Sequence, residues 1–146
     1  MYRALHEHVV RDDLGLVFLS GLGYVLGRGP DSVRMTHASF IPWECVPEEG
    51  VPDWFWEGAP SLAVEIVAPE DRAIELHEKV GQFLKAGVEQ VWVLWPRWRE
   101  VTVRAPDGMG RELGPDDELG GGELLPDFRV RVADLFDLPE RRLREG

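Results

Sequence analysis

The chain has 146 residues, 44% hydrophobic and 29% charged, with a formal net charge of −11 at pH 7. That length suits one domain, residues 1–146, with a core of its own, and the composition excludes intrinsic disorder. No apolar run approaches the roughly 20 residues of a membrane span. The single Cys45 excludes an internal disulfide and a cysteine-based zinc cluster. An acidic balance also has the wrong sign for broad contact with nucleic-acid phosphates. The opening MYRALHEHVVRDD lacks the apolar stretch and cleavage site of a signal peptide, so a soluble cytoplasmic protein is expected. There is no Asn, and Lys79 and Lys85 are the only lysines. This bias fits heat adaptation, and equally a GC-rich genome.

Residues 2–13 carry Leu5, Val9 and Val10 at helical spacing, with Gly15 at the exit. The runs 16–19, 22–26 and 32–35 are short, apolar and broken by Gly, which predicts an antiparallel meander. Residues 36–60, rich in Pro, Glu and Trp, read as a long irregular segment that is either a functional loop or carries further structure. Residues 62–67 form a nearly all-apolar strand, expected to be central, with Glu65 its one charge. Pro69 ends it, and a helix is expected over 70–86. A second buried-type strand follows over 91–95. This strand–helix–strand order fits a crossover between parallel strands. Residues 101–104, a Gly/Asp-rich turn, a strand near 128–130 and a short helix around Leu135 complete the expected order.

On the 70–86 helix, Leu76, Val80, Phe83 and Leu84 make one apolar stripe, while Glu78, Gln82 and Lys85 face water. Lys79 lies beside the stripe, about 60° from Leu76, so its stem can run along the sheet and present the ammonium at the sheet edge. Glu75 stands one turn earlier, and a Glu75–Lys79 surface pair is the plainer reading. Glu65 is harder to place, because an unpaired carboxylate in a buried strand is costly and such groups are retained when paired or metal-bound. An edge strand with Glu65 facing water is the alternative. Asp31, after Pro30, is by itself a common turn residue. Two carboxylates and an ammonium brought together can hold a hard divalent cation and steady a water beside a phosphodiester.

The stretch PSLAVEIVAPEDRAIELHEKVGQFLKAGVEQVWVLWP resembles the signature of the Uma-two endonuclease family, within the restriction-endonuclease-like PD-(D/E)XK superfamily. Glu65, Ile66, Ala68, Pro69, Glu75, Lys79, Phe83, Ala86, Gly87, Val88, Glu89 and Trp92 follow the family pattern in order. Pro30-Asp31 takes the family's metal-binding Asp position, and LLPDFRVRVADLF resembles its closing strand and helix. The resemblance implies an α/β (α+β) fold, a mixed sheet flanked by helices. Asp31, Glu65 and the carbonyl of Ile66 would bind Mg²⁺ or Mn²⁺, and Lys79 would stand in for the superfamily's strand lysine, whose place Val67 occupies. The implied activity is endonucleolytic hydrolysis of nucleic acid, DNA ahead of RNA, with Asp31, Glu65 and Lys79 catalytic. Relatives carry a further acidic segment before the first helix, so a shortened member is expected. They also tend to have Ser or Thr at Ala68 and Asp at Trp95. An inactive binding or oligomerisation module is the competing reading, and a hydrolase of a small phosphorylated substrate the more distant one.

Smaller signals remain. Trp54-Phe55-Trp56, with Trp43, packs on its own core, forms a dimer contact or stacks on unpaired bases. A homo-oligomer, a dimer first, is the expected assembly. His37 and Glu75 are auxiliary candidates, His37 as a proton donor. His6 and His8, two apart on a helix, do not share a face. GLGYVLG lacks dinucleotide-loop spacing.

Overall fold

The structure, a computed structural model, describes residues 1–137. Helix α1 (Tyr2–Arg11) is followed by β1 (Gly15–Leu19), β2 (Gly23–Gly27), β3 (Ser32–Met35), β4 (Ala38–Pro42) and β5 (Phe55–Glu57). Then come β6 (Leu62–Ile66), α2 (Ala73–Lys85), β7 (Gln90–Trp95), β8 (Glu100–Arg104), β9 (Gly110–Leu113), β10 (Glu118–Gly121) and β11 (Leu125–Arg131). Short 3₁₀ turns lie at Trp43–Cys45 and Val132–Phe136. The principal sheet has six strands in the order β1-β4-β6-β7-β8-β9. Only β6 and β7 pair in parallel within it, joined through α2; the other neighbours are antiparallel. The fold is α+β with a mixed sheet flanked by helices.

Alternation along β6 sorts its side chains between two apolar clusters. Leu62 and Val64 join Leu5 and Val9 of α1, Trp92 and Leu94 of β7, and Phe128 of β11 on one face. There Trp92, fully buried, stacks on Phe128 with ring centroids 5.6 Å apart. Ala63 turns to the other face and joins Val80 and Phe83 of α2, Val91 and Val93 of β7, Tyr24 of β2 and Trp56 of β5. The α2 stripe packs as its spacing predicts, with Leu76 and Leu84 partly buried beside Val80 and Phe83. Burial pushes the Tyr24 phenol up to about 12, so it stays neutral while sharing a hydrogen bond with Ser39 Oγ.

Two expectations change, at the meander and at Gln82, and two open alternatives are settled. The runs before Met35 do not form one meander: β2 pairs with β3, but β1 leaves them and pairs with β4. Its first residue lies so close to that partner that a Cβ on Gly15 would stand 2.2 Å from the Ile41 carbonyl oxygen. The irregular segment 36–60 contains β4, buried along its whole length, and β5, which adds in parallel to β2. Gln82 does not simply face water, because Arg34 Nε donates to its Oε1 at 2.6 Å. Within Trp54-Phe55-Trp56, Trp56 is core, whereas Trp54 and Phe55 are exposed.

Candidate functional site

The centre of the site is the carboxyl end of β6. Between β4 and β7, Glu65 has neighbours on both sides and is 4% exposed. The edge-strand alternative is therefore excluded. Its side chain points to the α2 face, as Ala63 does two residues earlier. Lys79, on α2, lays its stem over the sheet and brings Nζ to 2.9 Å from Glu65 Oε1. This is a charge contact without hydrogen-bond alignment, since Oε1 is buried and has no hydrogen-bond donor. The opposing charge makes the buried carboxylate tolerable, and the unaligned geometry leaves a lone pair uncommitted.

His37 closes the cluster from the other side. It lies in the step from β3 to β4, where its backbone N–H donates to the Val64 carbonyl at 3.1 Å. The ring nitrogen Nδ1 lies 3.2 Å from Glu65 Oε2 and accepts the Ile66 backbone N–H at 3.1 Å. Nδ1 can accept from Ile66 when it carries no proton or donate to Glu65 when it does, not both. Accepting from Ile66 puts the ring proton on Nε2, the end of a side chain that is 47% exposed. A strand residue sends its N–H and C=O to the same side. The Ile66 carbonyl thus also faces His37, beyond the last β4–β6 partners, Ala38 and Val64.

Of the residues expected at the site, the structure brings together Glu65, Lys79 and His37, with the Ile66 backbone alongside. It does not bring in Asp31. That residue sits on the turn between β2 and β3, where its carboxylate takes Arg28 Nη1 at 2.9 Å. Arg28 also binds Glu57, and the Glu57 hydrogen bond, then the Asp31 and Glu57 charges, raise its pKa further above the ordinary guanidinium value. Among the described residues, no three His, Cys, Asp or Glu side chains are placed to hold a metal together, so Asp31 is not a third member beside His37 and Glu65. Glu75 also stands apart. It pairs with Arg72 at 3.7 Å on the helix surface, and the expected Glu75–Lys79 pair is replaced by Glu65–Lys79. His8 is buried and binds the Pro126 carbonyl, a structural role.

Does this set suit a divalent cation? Mg²⁺ is commonly held by one or two carboxylates, with water completing its shell. Glu65 meets that minimum, its Oε1 makes no aligned hydrogen bond although Lys79 lies against it, and the Ile66 carbonyl faces the same edge. The two-acid set Asp31–Glu65 does not fit.

Two clefts flank this sheet end. One, of about 570 Å³, is walled by Val67, Pro69, Trp95, Arg97 and Trp98. The other, of about 500 Å³, is walled by Tyr2, His37, Ile66, Leu94 and Arg99. Pro96 borders both. No helix among the described residues is long and apolar enough to cross a membrane.

The same architecture occurs in the crystal structure of a putative nuclease belonging to DUF820 from Anabaena variabilis ATCC 29413. The match has a TM-score of 0.80 at 20% identity and covers 92% of this chain and 75% of that one. At that identity the likeness shows the fold. No curated protein matches the chain. The family model described as "Putative restriction endonuclease" matches residues 1–133, which include every strand and both α-helices described above. The chain belongs to this family, Uma2.

Proposed function

We propose that the chain is a nuclease that hydrolyses phosphodiester bonds of nucleic acid at the Glu65–Lys79–His37 cluster, with Mg²⁺ or Mn²⁺ held by Glu65 and the Ile66 carbonyl. One observation carries the reading: a buried carboxylate at the end of a central strand, met at 2.9 Å by a lysine from the crossover helix. Membership of the Uma2 family supports it. A bound cation polarises a phosphoryl oxygen and lowers the pKa of a coordinated water. The chain's own groups do the rest. Lys79 places a compact positive charge where a phosphoryl oxygen gains negative charge. His37, with Nδ1 engaged by Ile66, presents an Nε2–H that can hydrogen-bond a phosphoryl or leaving oxygen. To pass a proton it must be the imidazolium, whose Nδ1–H faces Glu65 in place of Ile66. Arg97, at one of the flanking clefts, supplies local positive charge on a chain whose net charge is −11.

The test is cleavage of end-labelled DNA and RNA by the purified chain in Mn²⁺, in Mg²⁺ and in EDTA. Cleavage is expected with either metal and not with EDTA. A second reading, a catalytically silent member, is favoured by the direct Lys79–Glu65 contact and by the commitment of Asp31 to Arg28. Folded protein that cleaves nothing in either metal would establish that reading instead.

A further inference from the structure

The cleft on the α2 side has features that hydrolysis at Glu65 does not use. Val67 continues the face of Glu65, one strand repeat of about 7 Å further along. Its N–H still pairs with the Leu94 carbonyl at 2.9 Å, so the wall it forms with Trp95 is an extension of the sheet. Trp95 is fixed, because its indole N–H donates to Thr102 Oγ1 at 2.9 Å. Trp98 is 56% exposed, with its ring centroid 6.2 Å from that of Trp95. The turn carrying it is closed by its backbone N–H to the Trp95 carbonyl, and by Arg99 in a left-handed conformation at φ 51°. Two aromatic rings are thus held beside the proposed reaction centre, and Trp98 is more than half exposed.

The charges are equally specific. The Arg97 guanidinium lies 5.7 Å from the Trp98 ring centroid, and no carboxylate among the described residues pairs with it. Arg99, by contrast, pairs with Asp137 at 3.3 Å. Asp71, the one acid at the cleft, accepts the Ala68 backbone N–H at 2.8 Å and so helps to hold the turn after β6. A half-exposed aromatic ring, beside a cation that no carboxylate among the described residues pairs with, suits a flat ring joined to an anion.

We infer that this cleft is a subsite for an unpaired nucleobase. The base stacks on Trp98 against Trp95, and Arg97 takes the adjoining phosphate, so single-stranded nucleic acid is the preferred substrate. Bases in a duplex have no free face to offer such a wall. With a net charge of −11, the chain gains little from duplex phosphates, whereas one stacked base contributes roughly ten- to hundredfold in affinity.

The inference rests on the proposal that the chain acts on nucleic acid, but its test is one of binding and not of cleavage. Fluorescence anisotropy in EDTA would compare a labelled mixed-sequence 12-mer single strand with the same 12-mer as a duplex. The single strand is expected to bind at least tenfold more tightly. Trp98→Ala should weaken it about tenfold and Trp98→Phe should restore most of the loss, since a phenyl ring still stacks. Arg97→Gln should weaken binding and reduce its salt dependence. A 12-mer with abasic sites throughout should bind the wild type as weakly as the normal strand binds Trp98→Ala. Equal or tighter duplex binding, single-strand affinity indifferent to Trp98, or no binding to either would overturn the subsite. Cleavage that fails while Trp98-dependent binding persists would instead overturn the chemistry at Glu65.

Discussion

Lys79→Met is expected to destabilise the protein by about 3 kcal/mol, the lower end of the range for removing one partner of a buried ion pair. The substitution keeps the apolar stem and deletes the only ammonium near Glu65, leaving a carboxylate that is 4% exposed without its counter-charge. Two features keep the effect from being larger: the Lys79 side chain is 23% exposed, and His37 Nδ1 lies 3.2 Å from the other carboxylate oxygen. Glu65→Gln should recover most of the loss in the Lys79→Met background, because a neutral amide needs no counter-charge. Urea unfolding of the four proteins of this cycle would give the coupling, expected to be at least ~1 kcal/mol. Strictly additive effects would mean that the 2.9 Å contact contributes nothing to the folded state.

The second large effect concerns catalysis and separates two carboxylates that the sequence treats alike. Glu65→Gln is expected to slow phosphodiester cleavage by roughly a hundredfold or more, since it removes the charge at the centre of the cluster while keeping its shape. Asp31→Asn is expected to leave the rate within about twofold. Asp31 is on an exposed turn, already neutralised by Arg28, and outside any metal-holding group of the described residues. Initial rates on one labelled substrate under one metal condition suffice. Equal losses in both variants would require Asp31 to reach Glu65 during turnover.

These contrasts show which parts of the site could be read from sequence. β6, α2 and β7 were legible because each carries its signal locally: an apolar run with one acid, a 3.6-residue stripe, and a second apolar run after Gly87. The Glu65–Lys79 contact follows from that unit, since a crossover helix lays its side chains over the strands it connects. The strand β4 was not legible. Ala38–Pro42 is buried on both faces, so it has no alternation, and it runs directly into a segment rich in Pro and Glu. Missing β4 also left His37 an auxiliary candidate with no stated contact to Glu65. Only when Ala38 is set opposite Val64 does the residue before it fall beside Glu65. Asp31 drew attention through its Pro-Asp context, yet that context is ordinary turn chemistry, and a turn is where it lies. The β1–β4 pairing is a long-range choice that three short Gly-broken runs could not disclose.

Glu65, without Asp31, is expected to anchor a divalent cation at the end of β6. Calorimetric titration of Mn²⁺ into the wild type, Glu65→Gln and Asp31→Asn tests it most directly, with circular dichroism confirming that all three are folded. Saturable binding at one site is expected in the wild type, the same binding in Asp31→Asn, and none in Glu65→Gln. Loss of binding in Asp31→Asn, or a folded wild type that binds no Mn²⁺, would contradict it.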